Sequence, residues 1–243
     1  MRAPWFEVSC CPPNVARTLA SLDAYIATAD AGGIQIHQYA PAEIRTTLQD
    51  GRAVSLDVDT RYPADGLVRV TINDHAAEPW TLSLRVPEWA EGARLRTVSA
   101  ERVGDAEAVS AGWAEVTRAF RAGDIVELEL PMAPRLVVPD PRIDAVRGCV
   151  AVERGPEVFA LESVDLSEGG DVGDVALTIA TAPTEENGRV WVDVARRVAQ
   201  PDGWPYTTTA PNGPGDTERV ALVPYHDWGN RGPSTMRVWI PTS

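Results

Sequence analysis

Two of the chain's three cysteines stand side by side, Cys10 and Cys11, and Pro12 and Pro13 follow at once. Vicinal thiols ahead of a proline pair have three chemical readings. They are small apolar side chains at a helix start, a strained vicinal disulfide, or thiolates acting on a metal or an electrophile. Proline suits a first helical turn, where its missing N–H costs nothing. That puts Cys11 at or near the N-cap and Cys10 one residue earlier. A helix N-terminus carries about half a positive charge and unpaired N–H groups, and both favour thiolate over thiol. A structural zinc site takes four ligands. The remaining letters supply no Cys-x-x-Cys, Cys149 lies far along the chain, and His37, His75 and His226 are scattered without ligand spacing. The sequence thus holds at most half of a metal site.

The elements that must position this pair follow from periodicity. Val15, Leu19, Leu22 and Ile26 step by four, three and four, one stripe of an amphipathic helix, and Gly32-Gly33 supplies a stop. The spacing predicts a helix over 13–30. After Gly33 the period drops to two: "GIQIHQYAPAEI", "AVSLDVDTRY", "GLVRVTIN", "WTLSLRVPEW" and "DIVELELP" alternate and are bounded by turn residues. A proline-rich stretch, "PMAPRLVVPDPR", marks a boundary. Alternation then resumes in "AVRGCVAVERGPEVFALES", "DVALTIATA", "GRVWVDVARRV", "ERVALVPY" and "TMRVWIP". Regularly spaced strands with almost no helix between them predict a mainly β protein of two antiparallel sandwiches, over 33–133 and 134–243, behind a helical segment at 1–32. One helix cannot be a domain, so its stripe calls for partners: a sandwich, a second copy in a homodimer, or the rest of a helical domain.

Composition narrows the function. The chain has 243 residues, 44% of them hydrophobic, and a formal net charge of −13. That charge argues against nucleic acid and anionic membranes. No apolar run approaches the roughly 18–20 residues of a membrane span, and no signal-peptide core is visible. Three cysteines do not make a disulfide framework, which points to a reducing, cytoplasmic compartment.

Three stretches carry a family resemblance. "SCCPPNVARTLASLDAYIA" resembles the Cys-Cys-Pro-Pro-Asn segment of the glycoside hydrolase family 127 β-L-arabinofuranosidases. "RGCVAVERGPEVFALES" and "LVPYHDWGNRGPSTMRVWIP" are similar to later segments of that family, in the same order. The resemblance implies an (α/α)6 barrel followed by β-sandwiches, of which these residues correspond to the last barrel helix and both sandwiches. It implies retaining release of β-L-arabinofuranosyl residues through a cysteine held on zinc, an exception to the usual carboxylate nucleophile. By motif, Cys10 is the nucleophile and a zinc ligand, and Cys11 a second ligand. The family's other two ligands, a Glu and a Cys, and its acid/base glutamate lie upstream of the double cysteine. Glu7 is too near Cys10 to take any of these roles. The resemblance therefore implies a C-terminal portion that is inactive alone, from a split or truncated frame, with a complementing barrel chain as a further possibility. The competing reading is a non-catalytic sandwich module that braces a catalytic domain or binds carbohydrate.

Other candidates are weaker. Trp228, Asn230 and Arg231 in "HDWGNRG" suit either a sugar-lining loop or a turn braced by its own Arg and Asn, and glycine-rich turns with an aromatic anchor favour bracing. Trp204 and Tyr206 are candidate exposed aromatics of a long loop. Glu153 and Arg154 suit an ion pair at a sheet edge. Glu162, Glu185 and Glu186 offer carboxylates, but 35 acidic residues make any pairing a matter of chance. Cys149 reads as an inert core residue, and His37 as a surface or interdomain one.

Overall fold

A computed structural model describes residues 8, 10–74, 78–167, 170–197 and 216–243. They divide into two compact units that meet in sequence between Met132 and Ala133. Among them, no helix is long and apolar enough to cross a membrane.

The first unit begins with α1 (Cys11–Ala20) and a 3₁₀ turn (Leu22–Tyr25). The helix ends ten residues short of the expected boundary. The Ser21 hydroxyl folds back onto the Arg17 carbonyl at 2.9 Å, a bond that competes with helix continuation. Residues expected to be helical instead form β1 (Ala27–Ala29), which pairs antiparallel with β2 (Gly33–Ile36). Asp30 closes the turn between them, its Oδ1 accepting from the Gly32 and Gly33 amides at 2.7 and 3.0 Å. A sheet edge offered by β2 thus overrides helical spacing at Thr28, a β-branched residue suited to a strand. The apolar stripe of α1 finds no sandwich to cover it: α1 buries no side chain, and Val15, Leu19 and Leu22 are exposed.

Two sheets make the first sandwich. One runs β1-β2-β6-β9, with β6 Trp80–Val86 and β9 Gly112–Arg118. The other runs β3-β4-β5-β10-β7-β8, with β3 Ala42–Thr47, β4 Ala53–Thr60, β5 Leu67–Ile72, β7 Arg94–Val98, β8 Glu107–Ala108 and β10 Ile125–Glu129. Pairing is antiparallel except for β2 with β6, which is parallel. The alternating apolar faces meet in a core of Ile34, Ile36, Leu56, Val70, Leu82, Leu84, Leu128 and others, with Phe120 stacked on Trp80 at 4.6 Å between ring centroids. On the outer face Glu127, nearly buried, is paired with Arg69 at 2.8 Å and with Arg96, one from each neighbouring strand. Burial pushes its carboxyl up, but the two guanidinium groups outweigh that and hold it below the ordinary value.

The second unit comprises β11 (Pro134–Val137), β12 (Cys149–Arg154), β13 (Glu157–Glu162), β14 (Val175–Leu177), β15 (Thr184–Glu186), β16 (Arg189–Arg196), β17 (Thr217–Pro224), β18 (Met236–Arg237) and β19 (Ile240–Pro241). Its antiparallel pairs run β12-β13-β17-β16-β14. A bridge from Leu177 to Thr242 and the pairing of β19 with β12 close this path on itself, so few strand edges are left open. Inside lie Val152, Leu161, Leu177, Val194, Leu222 and Ile240 among others. The molecule is mainly β, as periodicity predicts.

Gly33 holds the parallel seam. A Cβ there would lie 1.8 Å from the Thr81 carbonyl oxygen, a backbone atom that cannot step aside. Gly33→Ala is expected to cost the first sandwich about 3 kcal/mol, read as a lowered urea midpoint, while the second unit keeps its own transition. An unchanged midpoint would show that the seam carries no load.

Candidate functional site

The cysteine pair sits at the start of α1, one residue further into the helix than the sequence suggests. Cys10 is the N-cap and Cys11 the first helical residue. Pro12 and Pro13 have no N–H to offer, so the unpaired amides of this helix end are those of Cys10 and Cys11 themselves. Both thiols are exposed, with Sγ atoms 3.7 Å apart. Zinc–thiolate bonds of about 2.3 Å at a tetrahedral angle place two sulfurs about 3.8 Å apart. The pair therefore fits two ligands of one zinc. Among the described residues no group of three or more His, Cys, Asp or Glu could complete a metal site. Beside Cys11, the exposed stripe of α1 lines an apolar recess of about 530 Å³ with Val8, Pro12, Val15, Ala16 and Leu19.

Among the described residues, no other sequence candidate is drawn to this pair as a ligand. His37 follows β2, with Nε2 2.8 Å from Thr28 Oγ1 and its ring edge-on to Trp113. His226 is exposed beside Asp227, and Glu7, His75, Trp204 and Tyr206 lie outside the described residues. Cys149 is half-buried opposite Pro241 of β19, not in the core. Glu153 and Arg154 do not pair with each other, because adjacent strand residues point to opposite faces. Glu153 meets Arg135, and Arg154 meets Glu185 at 2.7 Å. Glu186 is taken by Arg219 at 2.5 Å, so neither Glu185 nor Glu186 stands ready as half of a catalytic carboxylate pair.

Comparison with known proteins accounts for both sandwiches. Residues 33–132 match the model of the "Beta-L-arabinofuranosidase, GH127 middle domain", and residues 134–241 that of the "Glycoside hydrolase family 127 C-terminal domain". The chain belongs to glycoside hydrolase family 127. It is 32% identical over 98% of its length to a non-reducing end β-L-arabinofuranosidase of Bifidobacterium longum subsp. longum, covering 38% of that protein. It superposes on the crystal structure of a GH127 β-L-arabinofuranosidase from Geobacillus stearothermophilus T6 with a TM-score of 0.84 and 31% identity, covering all of this chain and 39% of that one. A further solved glycoside hydrolase gives a TM-score of 0.79 at 31% identity, over all of this chain and 42% of that one. The chain thus spans about two fifths of the length of these family 127 relatives.

Within the family 127 C-terminal unit, the "HDWGNRG" loop proves to be a brace. Its anchor, Glu162 at the end of β13, is fully buried. Its carboxylate accepts from the Gly229 amide at 2.7 Å, the Ser234 hydroxyl at 2.7 Å and Arg231 Nη2 at 2.5 Å. Arg231 also reaches Asp165, with contacts of 2.7 and 2.5 Å. Asn230 is exposed, and Trp228 half-buried. Burial raises the Glu162 carboxyl, but the guanidinium, amide and hydroxyl donors outweigh it and hold it below the ordinary value. Arg231 is held correspondingly above its own, chiefly by Asp165 and then Glu162. By sequence Glu162 is one carboxylate among 35 acidic residues. The signal was present: Phe159, Ala160 and Leu161 are core residues, and an acid ending such a run must find donors.

Because the Glu162 pKa is depressed on folding, its stabilisation is complete above the unfolded value near 4.5 and is lost as pH falls through the folded one. Arg231→Met leaves a buried carboxylate short of its cation and is expected to cost the second unit about 3 kcal/mol at pH 7 in urea unfolding. The gap between variant and wild type should narrow below about pH 4. A gap that persists unchanged at pH 3 would place the cost in packing instead of charge.

Proposed function

We propose that this chain carries the thiolate half of the catalytic centre of a retaining β-L-arabinofuranosidase. The supporting observation is the pair of sulfurs 3.7 Å apart at the positive end of α1, in a chain that aligns almost throughout with a non-reducing end β-L-arabinofuranosidase. Cys10 is the nucleophile and a zinc ligand, and Cys11 the second ligand. Zinc, when bound, keeps the sulfurs ionised at neutral pH.

Cys10 attacks the anomeric carbon: its lone pair forms the carbon–sulfur bond as the bond to the leaving oxygen breaks, and that oxygen takes a proton from a general acid. Water then displaces the sulfur from the opposite side, giving its proton to the same group acting as base, so two inversions yield retention. Cys11, as the second ligand, would hold zinc beside Cys10 and so orient the start of α1. Neither the remaining two ligands nor the acid/base is found among the described residues, so both are assigned to a family 127 barrel in cis or in a partner chain. On this reading the 243 residues by themselves are inactive, and the apolar recess beside Cys11 is the surface offered to that barrel.

The test is hydrolysis of an aryl β-L-arabinofuranoside. The 243 residues alone should show no turnover. Joined to a family 127 barrel they should show it, with Cys10→Ala lowering kcat by roughly 1000-fold or more and Cys11→Ala lowering zinc content. Full activity in the Cys10→Ala enzyme, or turnover by the 243 residues alone, would overturn the assignment.

A further inference from the structure

The outer face of the four-stranded sheet in the first sandwich carries a second concave site. Register places Arg85 of β6 directly opposite Trp113 of β9, so the two side chains leave the sheet on one face. Their neighbours Leu84 and Ala114 are buried on the other. With the turn Pro87–Glu88–Trp89 and residues Ala111 and Gly112, they wall a recess of about 560 Å³, within the usual range for small-molecule sites.

Its lining is unusually well prepared. Trp113 is 43% exposed, yet its ring is held by His37, edge-on at 5.1 Å and 85°. Thr28 in turn holds the other edge of that histidine. The indole is therefore open but already oriented. Trp89 is anchored on the core and turns part of its surface to the recess. The Tyr39 hydroxyl donates to the Arg85 carbonyl at 2.6 Å, pinning the strand end.

Arg85 and Glu88 are exposed, and among the described residues no hydrogen bond or ion pair engages either side chain. Elsewhere in this sandwich Arg52, Arg69, Arg96 and Arg118 all hold carboxylates.

A rigid apolar ring beside an unengaged donor fork and an unengaged carboxylate is the chemistry that takes a sugar. Its C–H face stacks on indole, and its hydroxyls both donate and accept. A net charge of −13 disfavours a polyanionic glycan. We propose that this recess is a non-catalytic binding site for a neutral oligosaccharide, with Trp113 as the stacking platform and Arg85 and Glu88 as the hydroxyl-binding pair. It rests on the first sandwich alone and holds whether or not Cys10 is the nucleophile.

The experiment uses the full 243-residue chain carrying Cys10→Ala, so that hydrolysis cannot intervene. Neutral arabino- and xylo-oligosaccharides are titrated by calorimetry and by saturation-transfer NMR, with oligogalacturonates as the acidic comparison. At least one neutral series should bind saturably and outcompete the acidic one. Trp113→Ala should weaken it about tenfold or more, Trp113→Phe should keep most of it, and Arg85→Gln and Glu88→Gln should each weaken it several-fold. All three side chains are on the surface, so melting temperatures should hold. The proposal is overturned if no neutral series binds, if the acidic oligomers bind better, if Trp113→Ala leaves affinity unchanged, or if Trp113→Ala instead dissociates a dimer that binds no sugar.

Discussion

The helix that carries the thiols is tied to the first sandwich through β1 and β2, and β2 enters the sheet only because residue 33 is glycine. Its backbone runs parallel to β6 so closely that a single added carbon would collide with the Thr81 carbonyl. Everything upstream hangs from that seam: the Asp30 turn, the short strand β1, the 3₁₀ turn and finally Cys10 and Cys11. A helix that buries none of its own side chains cannot fix its own direction. Backbone pairing at one end does so instead, and the sulfurs inherit their place from it.

Both sandwiches meet a second constraint in the same way. A carboxylate removed from water must be repaid with donors. Glu127 on the outer face of the first receives Arg69 and Arg96 from the strands on either side. Glu162 in the second receives an amide, a hydroxyl and a guanidinium from one loop, and so ties that loop to the end of β13. The arginine of a family 127 motif thus does the bracing work that its glycine-rich turn and aromatic anchor favour. Arg85 and Glu88, which have no such partner among the described residues, stand beside an exposed indole.

Much of the fold was legible. The strands at 53–60, 67–72 and 189–196 alternate and their burial alternates almost as written, whereas those at 80–86 and 125–129 also bury a polar residue on the second face, Ser83 and Glu127. The strands at 94–98 and 112–118 are hard to read, because arginine, glutamate and threonine take half of their positions and leave few large apolar side chains to mark a face. The helix was read too long because its apolar spacing continues through Ile26, whereas a serine back-bond and an available sheet edge end it earlier.

Two things were determined by the sequence alone. The adjacency of two thiols ahead of two prolines is covalent, and the period-two alternation of the sandwiches is a local property of the chain. The tertiary structure decided the rest. It set the 3.7 Å between the sulfurs, the partnership of Glu162 with Arg231 across 69 residues, and the meeting of Arg85 with Trp113 on one open face. Each depends on rotamer or register, and register is settled by which apolar faces can be buried together, a choice made between segments and not within any one of them.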